Sequence, residues 1–188
     1  MQFVKNLDLA ILTKLNNFFS RHNGFWTKFF AQDLIYALPV ILIVVWFWSK
    51  DSKKVALRAI FSVILAWPIL ALIVGKLVNR VRPFSVTGIQ ELVFHRPDYS
   101  FPSDHAAALF AVAFSLWLSG YKVLSIIMFV IAIVVSFFRV ATAIHYPTDV
   151  LGGAVIGILA AYLIYLFDKP LNIIYTFIIK IATIIKLA

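Results

Sequence analysis

The sequence predicts an all-α fold: a polytopic membrane helical bundle of five to six helices with amphipathic terminal helices, in a single domain over residues 1–188. Two observations lead there. Of the 188 residues, 63% are hydrophobic and only 13% are charged, whereas a water-soluble domain carries about a quarter charged side chains. Five uncharged runs of 15 to 18 residues also punctuate the chain. Each can borrow flanking residues to reach the roughly 20 needed to cross a bilayer. Lipid offers no partner to a bare amide, so such runs must become helices.

Taken in order, residues 3–19 form the first element. Val4, Leu7, Ile11, Leu15 and Phe18 recur at helical spacing, opposite Lys5, Asn6, Asn16 and Asn17. This reads as an amphipathic helix that lies in the interface or packs as a sixth membrane helix. Residues 1–22 spread their charges and show no cleavage pattern, so they do not read as a secretory signal. The spans follow at Leu34–Trp48, Ala59–Gly75, Ala106–Tyr121, Val123–Phe138 and Val150–Phe167. A second amphipathic segment closes the chain at residues 171–187, with Asn172, Thr176, Lys180 and Thr183 on one stripe.

Counting crossings puts two polar stretches on one membrane face. If the second span ends on a given face, residues 76–105 lie there. The third span leaves, the fourth returns after the short Ser119–Lys122 turn, and residues 139–149 share that face. Lys50, Lys53, Lys54 and Arg58 crowd the connection on the other side. The positive-inside rule makes that side cytoplasmic, so the shared face is expected to be extracytoplasmic, on the cell membrane.

The net charge of +9 on a lipophilic body favours anionic head groups or a phosphorylated substrate as partners. No nucleic-acid motif is present, and the oligomeric state is not legible. With no cysteine, disulfides and thiolate metal sites are excluded.

Three clusters on the shared face carry the chemistry. They are Gly75 to Pro83, with Lys76, Arg80 and Arg82; Phe101-Pro102-Ser103-Asp104-His105; and Arg139 to Asp149, with His145 between. A phosphate ester needs fixed positive charge around its non-bridging oxygens, and Arg82 and Arg139 offer planar, permanently charged forks. Ser103 and Asp104 fall at a helix N-cap, whose first amides would point at the same anion. His105 and His145 supply a nucleophile and a proton donor. Asp149, four residues after His145, is placed to orient the imidazole through a hydrogen bond. Each feature has an ordinary reading: a basic residue snorkelling at a helix end, an aspartate capping a helix, a proline punctuating a loop. His22 and His95 are read in that ordinary way. Co-occurrence of all the others on one face favours chemistry.

The order Arg-Pro, Pro-Ser-x-His, then Arg-x5-His-x3-Asp resembles the signature of the type-2 phosphatidic acid phosphatase superfamily, from about Lys76 to Asp149. The resemblance implies a metal-free, cofactor-free lipid-phosphate phosphatase. His145 would attack phosphorus, Asp149 would orient it and His105 would protonate the leaving oxygen. Arg82, Arg139, Ser103, the backbone at Asp104 and Lys76 would hold the phosphoryl group. Three departures stand out: five rather than six residues separate Lys76 from Arg82, Asp104 replaces the commoner glycine, and Phe138 replaces the usual serine. The Phe101–His105 run, the Tyr146–Gly152 run and the small size resemble the bacitracin-resistance branch, which hydrolyses undecaprenyl pyrophosphate. Other expectations from the same sequence are a phosphatase of phosphatidylglycerophosphate, phosphatidic acid or lipid A phosphate, or an inactive lipid-binding membrane protein.

Overall fold

The computed structural model describes residues 2–22, 24–85, 89–94 and 98–187. Among these, seven helices form the bundle and no strand occurs. Helix α1 is Gln2–Arg21. Helix α2, Phe25–Trp48, starts α-helical, becomes π-helical at Phe29–Asp33, tightens at Leu34–Tyr36 and resumes as Ala37–Trp48. Helix α3 covers residues 52–78, with a π-helical stretch at Leu65–Ala71. Then come α4 (Asp104–Leu118), α5 (Lys122–Ala141), α6 (Pro147–Leu166) and α7 (Asp168–Ile184). His95 and Arg96 lie outside the described residues.

Helices α2, α3, α5 and α6 are long and apolar enough to cross a membrane. The expected third span, α4, has only 15 residues, about 22 Å at 1.5 Å per residue. It is the enclosed centre of the bundle, packed by α3, α5 and α6, with Ala106, Ala107, Leu109, Ala111 and Val112 buried. Its N-terminus, which carries His105, packs at Gly153, six residues inside α6.

Apolar burial gives little drive between helices already in lipid, so close backbone packing must hold them. Gly153 and Gly157 provide it. A Cβ on Gly153 would sit 2.4 Å from the Ser103 carbonyl oxygen, and one on Gly157 would sit 2.4 Å from that of Ala107. The missing side chains let α6 lie against the first turns of α4. The two helices that carry the second and third sequence clusters are thereby fixed together.

The π-helical stretch of α3 has a local cause. Pro68 lies inside the α3 stretch, where it has no N–H to donate and its ring crowds the preceding turn. Non-α backbone at membrane depth is tolerated where it lines a cavity. Both stretches do so: residues from each border the same space of about 710 Å³ between α2, α3, α4 and α5.

The terminal helices take opposite faces. In α1, Asp8 and Asn16 are buried and reach the polar segments of the site face, through Thr148 and Arg80 in one case and Gln90 and Ala141 in the other. Helix α1 thus lies across that end of the bundle, its apolar stripe of Val4, Leu7, Ile11 and Phe18 exposed to the surroundings. At the other end, Arg58 pairs with Asp168 at 2.8 Å and donates to Ser119 at 2.7 Å. Trp46 donates to the Leu187 carbonyl at 2.7 Å. Both ends of the α7 segment are therefore held near the face opposite the site.

Candidate active site

The third cluster is a turn that folds back on itself. Helix α5 ends at Ala141, and the amides of Ile144 and His145 both donate to the Arg139 carbonyl at 3.2 Å. Ala143 takes a left-handed conformation (φ 62°) to close the turn. The six-residue spacing from arginine to histidine thus returns the imidazole to the guanidinium of its own helix end. Proline at Pro147 then starts α6, and Asp149 closes its first turn by accepting from the Tyr146 amide at 2.8 Å.

His145 is buried. Its Nδ1 lies 2.7 Å from the Ser100 carbonyl oxygen. A carbonyl only accepts, so Nδ1 carries the ring proton and Nε2 presents a lone pair. That Nε2 lies 3.4 Å from Arg82 Nη1 and 3.4 Å from Arg139 Nη2. Burial holds the imidazole pKa well below its ordinary 6.5, and the charges of Arg139 and Arg82 push the same way. The ring is a neutral base in the field of two cations.

Both guanidinium groups are buried. Arg82 donates through Nη1 to the Ile144 carbonyl at 3.0 Å and through Nε to Asp98 at 2.7 Å. Arg139 Nη1 reaches the Ala31 carbonyl at 3.4 Å, while its buried Nε has no hydrogen-bond partner among the described residues. Two adjacent buried cations, one with an unspent donor, make a pocket that suits an anion with several oxygens.

His105 and Arg139 both line the 710 Å³ cavity, together with Trp67, Tyr36 and Pro39. His105 is also close enough for its charge to act on His145. Asp104 lies within the fields of Arg82 and Arg139. On the polar side, a cleft of about 220 Å³ is bordered by Arg80, Arg82 and Asp98. The pocket at His145 Nε2 therefore sits between an apolar cavity and a polar cleft.

Several expectations need correction. The hydrogen bond from His145 to Asp149 is not formed: Asp149 Oδ2 stands 3.8 Å from Nδ1, and the Ser100 carbonyl takes that proton instead. Asp149 spends its oxygens on the Tyr146 amide and, at 2.6 Å, on Arg80. Ser103, by contrast, is the N-cap of α4 as expected, accepting from the Ala106 amide, and its own amide donates to the Asp149 carbonyl at 3.0 Å. Lys76 is not brought to the cluster. The residue of α3 that faces the 99–101 loop is Gly75, and the next position is turned about 100° away. Lys76 is exposed, and among the described residues no hydrogen bond or ion pair holds it.

Three participants carried no signal that sequence reasoning used. Ser100 acts through its backbone, which any residue supplies. Asp98 and Asp8 are isolated acids whose partners are remote in sequence; Asp8 alone is 72 residues from Arg80.

Known proteins supply the remaining observation. The PAP2 superfamily pattern matches residues 55–173, more than half of the chain. The putative undecaprenyl-diphosphatase YbjG of Escherichia coli K12 is 32% identical over 176 residues, covering 86% of this chain and 84% of that protein. Undecaprenyl-diphosphatase BcrC of Bacillus subtilis is 29% identical over 161 residues, covering 81% and 80%. Among solved structures, Aquifex aeolicus LpxE superposes with a TM-score of 0.68 at 23% identity, covering 85% of this chain and 94% of that one. That last likeness is one of fold. With the bacitracin-resistance branch among its relatives, the chain belongs to the PAP2 superfamily and is a multi-pass membrane lipid phosphatase.

Proposed function

We propose that the protein hydrolyses undecaprenyl pyrophosphate to the monophosphate through a phosphohistidine on His145, at the extracytoplasmic face of the cell membrane. One observation carries the catalytic reading: Nε2 of a buried neutral imidazole stands between two guanidinium groups, at 3.4 Å from each. A terminal phosphoryl group held by Arg82 and Arg139 would have its phosphorus in front of Nε2. Nε2 attacks phosphorus, and the bond to the bridging oxygen breaks. His105 gives that oxygen its proton, becoming neutral, and the lipid monophosphate departs. Water, deprotonated by His105, then attacks the phosphohistidine, releasing phosphate and restoring His145. Ser103 and the start of α4 complete the anion pocket, with Asp104 at its rim.

The cavity of about 710 Å³ supports a lipid substrate, since it is lined largely by apolar side chains and ends at His105. The undecaprenyl chain is the best-supported lipid because the relatives named above, similar over four-fifths of the chain, carry that activity in their names. The positive charges at Lys50, Lys53, Lys54 and Arg58, opposite the site, support the orientation.

The test is phosphate release by the purified protein from undecaprenyl pyrophosphate, phosphatidylglycerophosphate, phosphatidic acid and lipid A phosphate, side by side. The highest kcat/KM is expected on the pyrophosphate. Preference for a glycerolipid phosphomonoester would overturn the substrate assignment.

A further inference from the structure

Helix α1 contributes a buried acid to the site face. Asp8 is 3% exposed. Its Oδ2 accepts from Arg80 at 2.7 Å and from the Thr148 hydroxyl at 2.5 Å, and its Oδ1 accepts from the Thr148 amide at 3.0 Å. Arg80 Nη1 in turn donates to Thr148 Oγ1 at 2.7 Å and to Asp149 Oδ1 at 2.6 Å. The guanidinium also stacks on the Tyr146 ring, 3.8 Å from its centroid. Two buried carboxylates, Asp8 and Asp149, therefore share one arginine.

Counting charge gives this arrangement a purpose. Asp149 with Arg80 alone is a neutral pair. Asp8 adds a second negative charge to the same guanidinium, so the trio carries a net charge of about −1 at neutral pH. The Asp149 end of the trio is 3.8 Å from His145 Nδ1. When Nε2 bonds to phosphorus, the imidazole becomes cationic, and a net negative neighbour stabilises it where a neutral pair would not. Arg82 and Arg139 work against that cation only until the phosphoryl oxygens take up their charge.

We propose that Asp8 is a positioning residue of the reaction: by sharing Arg80 it holds Asp149 in place and leaves the carboxylate its charge. It touches neither substrate nor His145. The proposal rests on His145 as the nucleophile.

The experiment measures kcat and KM of the full-length protein and of Asp8→Asn, Arg80→Gln and the double variant, with His145→Ala as reference. Asp8→Asn preserves shape and leaves Arg80 to neutralise Asp149. Its kcat is expected to fall about tenfold with KM changed by less than about twofold. Because Asp8 acts through Arg80, the double variant is expected to match Arg80→Gln within about twofold. Independent structural contacts would instead make the two losses multiply. If Asp8→Asn does not fold, Asp8→Ser, alone and with Arg80→Gln, reads the same effect.

An unchanged kcat in Asp8→Asn, or a double variant slower than Arg80→Gln by the full factor seen in Asp8→Asn, would overturn the proposal. An inactive parent protein, or a His145→Ala variant as fast as the parent, would instead strike the nucleophile assignment beneath it.

Discussion

The Ser100 carbonyl oxygen lies 2.7 Å from His145 Nδ1, closer by more than an ångström than the Asp149 carboxylate at 3.8 Å. A backbone acceptor therefore fixes the tautomer, and in the proposed mechanism Asp149 is left to stabilise charge. Asp149→Asn is expected to keep more activity than His145→Ala. The amide should cost about 10- to 100-fold in kcat, against about 10⁴-fold or more for loss of the nucleophile. Equal losses, measured on the same lipid, would mean that Asp149 also governs the tautomer.

Arg139 presents a buried fork with Nη2 toward His145 and Nε without a partner. Arg139→Lys keeps the charge but not the planar pair of donors. We expect kcat/KM to fall by about 100-fold or more with the fold intact by thermal melting. A near-normal rate would remove Arg139 from the phosphate ligands.

The approach of α6 to α4 at Gly153 sets the distance between the two histidine-bearing segments. Gly153→Ala places a methyl group 2.4 Å from the Ser103 carbonyl oxygen, so the helices must part by about 1 Å, a displacement that can cost about 10²-fold in rate. Activity should drop more sharply than the melting temperature. Parent-like kcat would show that α4 and α6 need not touch there for catalysis.

The His145 pKa is held well below 6.5 by burial first and by the two arginines second. The ring stays neutral as pH falls, so the acid limb of kcat/KM, which reports the free enzyme, is expected below pH 6.5. Removing a neighbouring cation with Arg82→Gln raises the imidazole pKa and should move that limb to higher pH. A shift to lower pH would contradict the arrangement of charges.

Much of this was legible in the sequence, for identifiable reasons. Charge-free runs and the parity of crossings put the Lys76–His105 and Arg139–Asp149 segments on one face, because a bilayer permits few alternatives. The spacing from Arg139 to His145 pointed to the pocket because the turn between them closes on one carbonyl. Other features were not legible. Asn16 looked like the water-facing side of α1, yet it is buried against Gln90 and Ala141; amphipathicity does not say which face of an interfacial helix meets protein and which meets lipid. Periodicity could not reveal the π-helical stretches at Phe29–Asp33 and Leu65–Ala71. The Lys76 offset was visible as a count, and its consequence needed the direction of Gly75.

The central claim is that His145 Nε2 forms a bond to phosphorus. The direct measurement is a rapid alkaline quench of the protein turning over substrate labelled at its terminal phosphate, followed by peptide mapping. The account expects a base-stable, acid-labile label on the peptide containing His145, formed faster than phosphate is released and missing in His145→Ala. Turnover without label on the protein, or label residing on another residue, would contradict it.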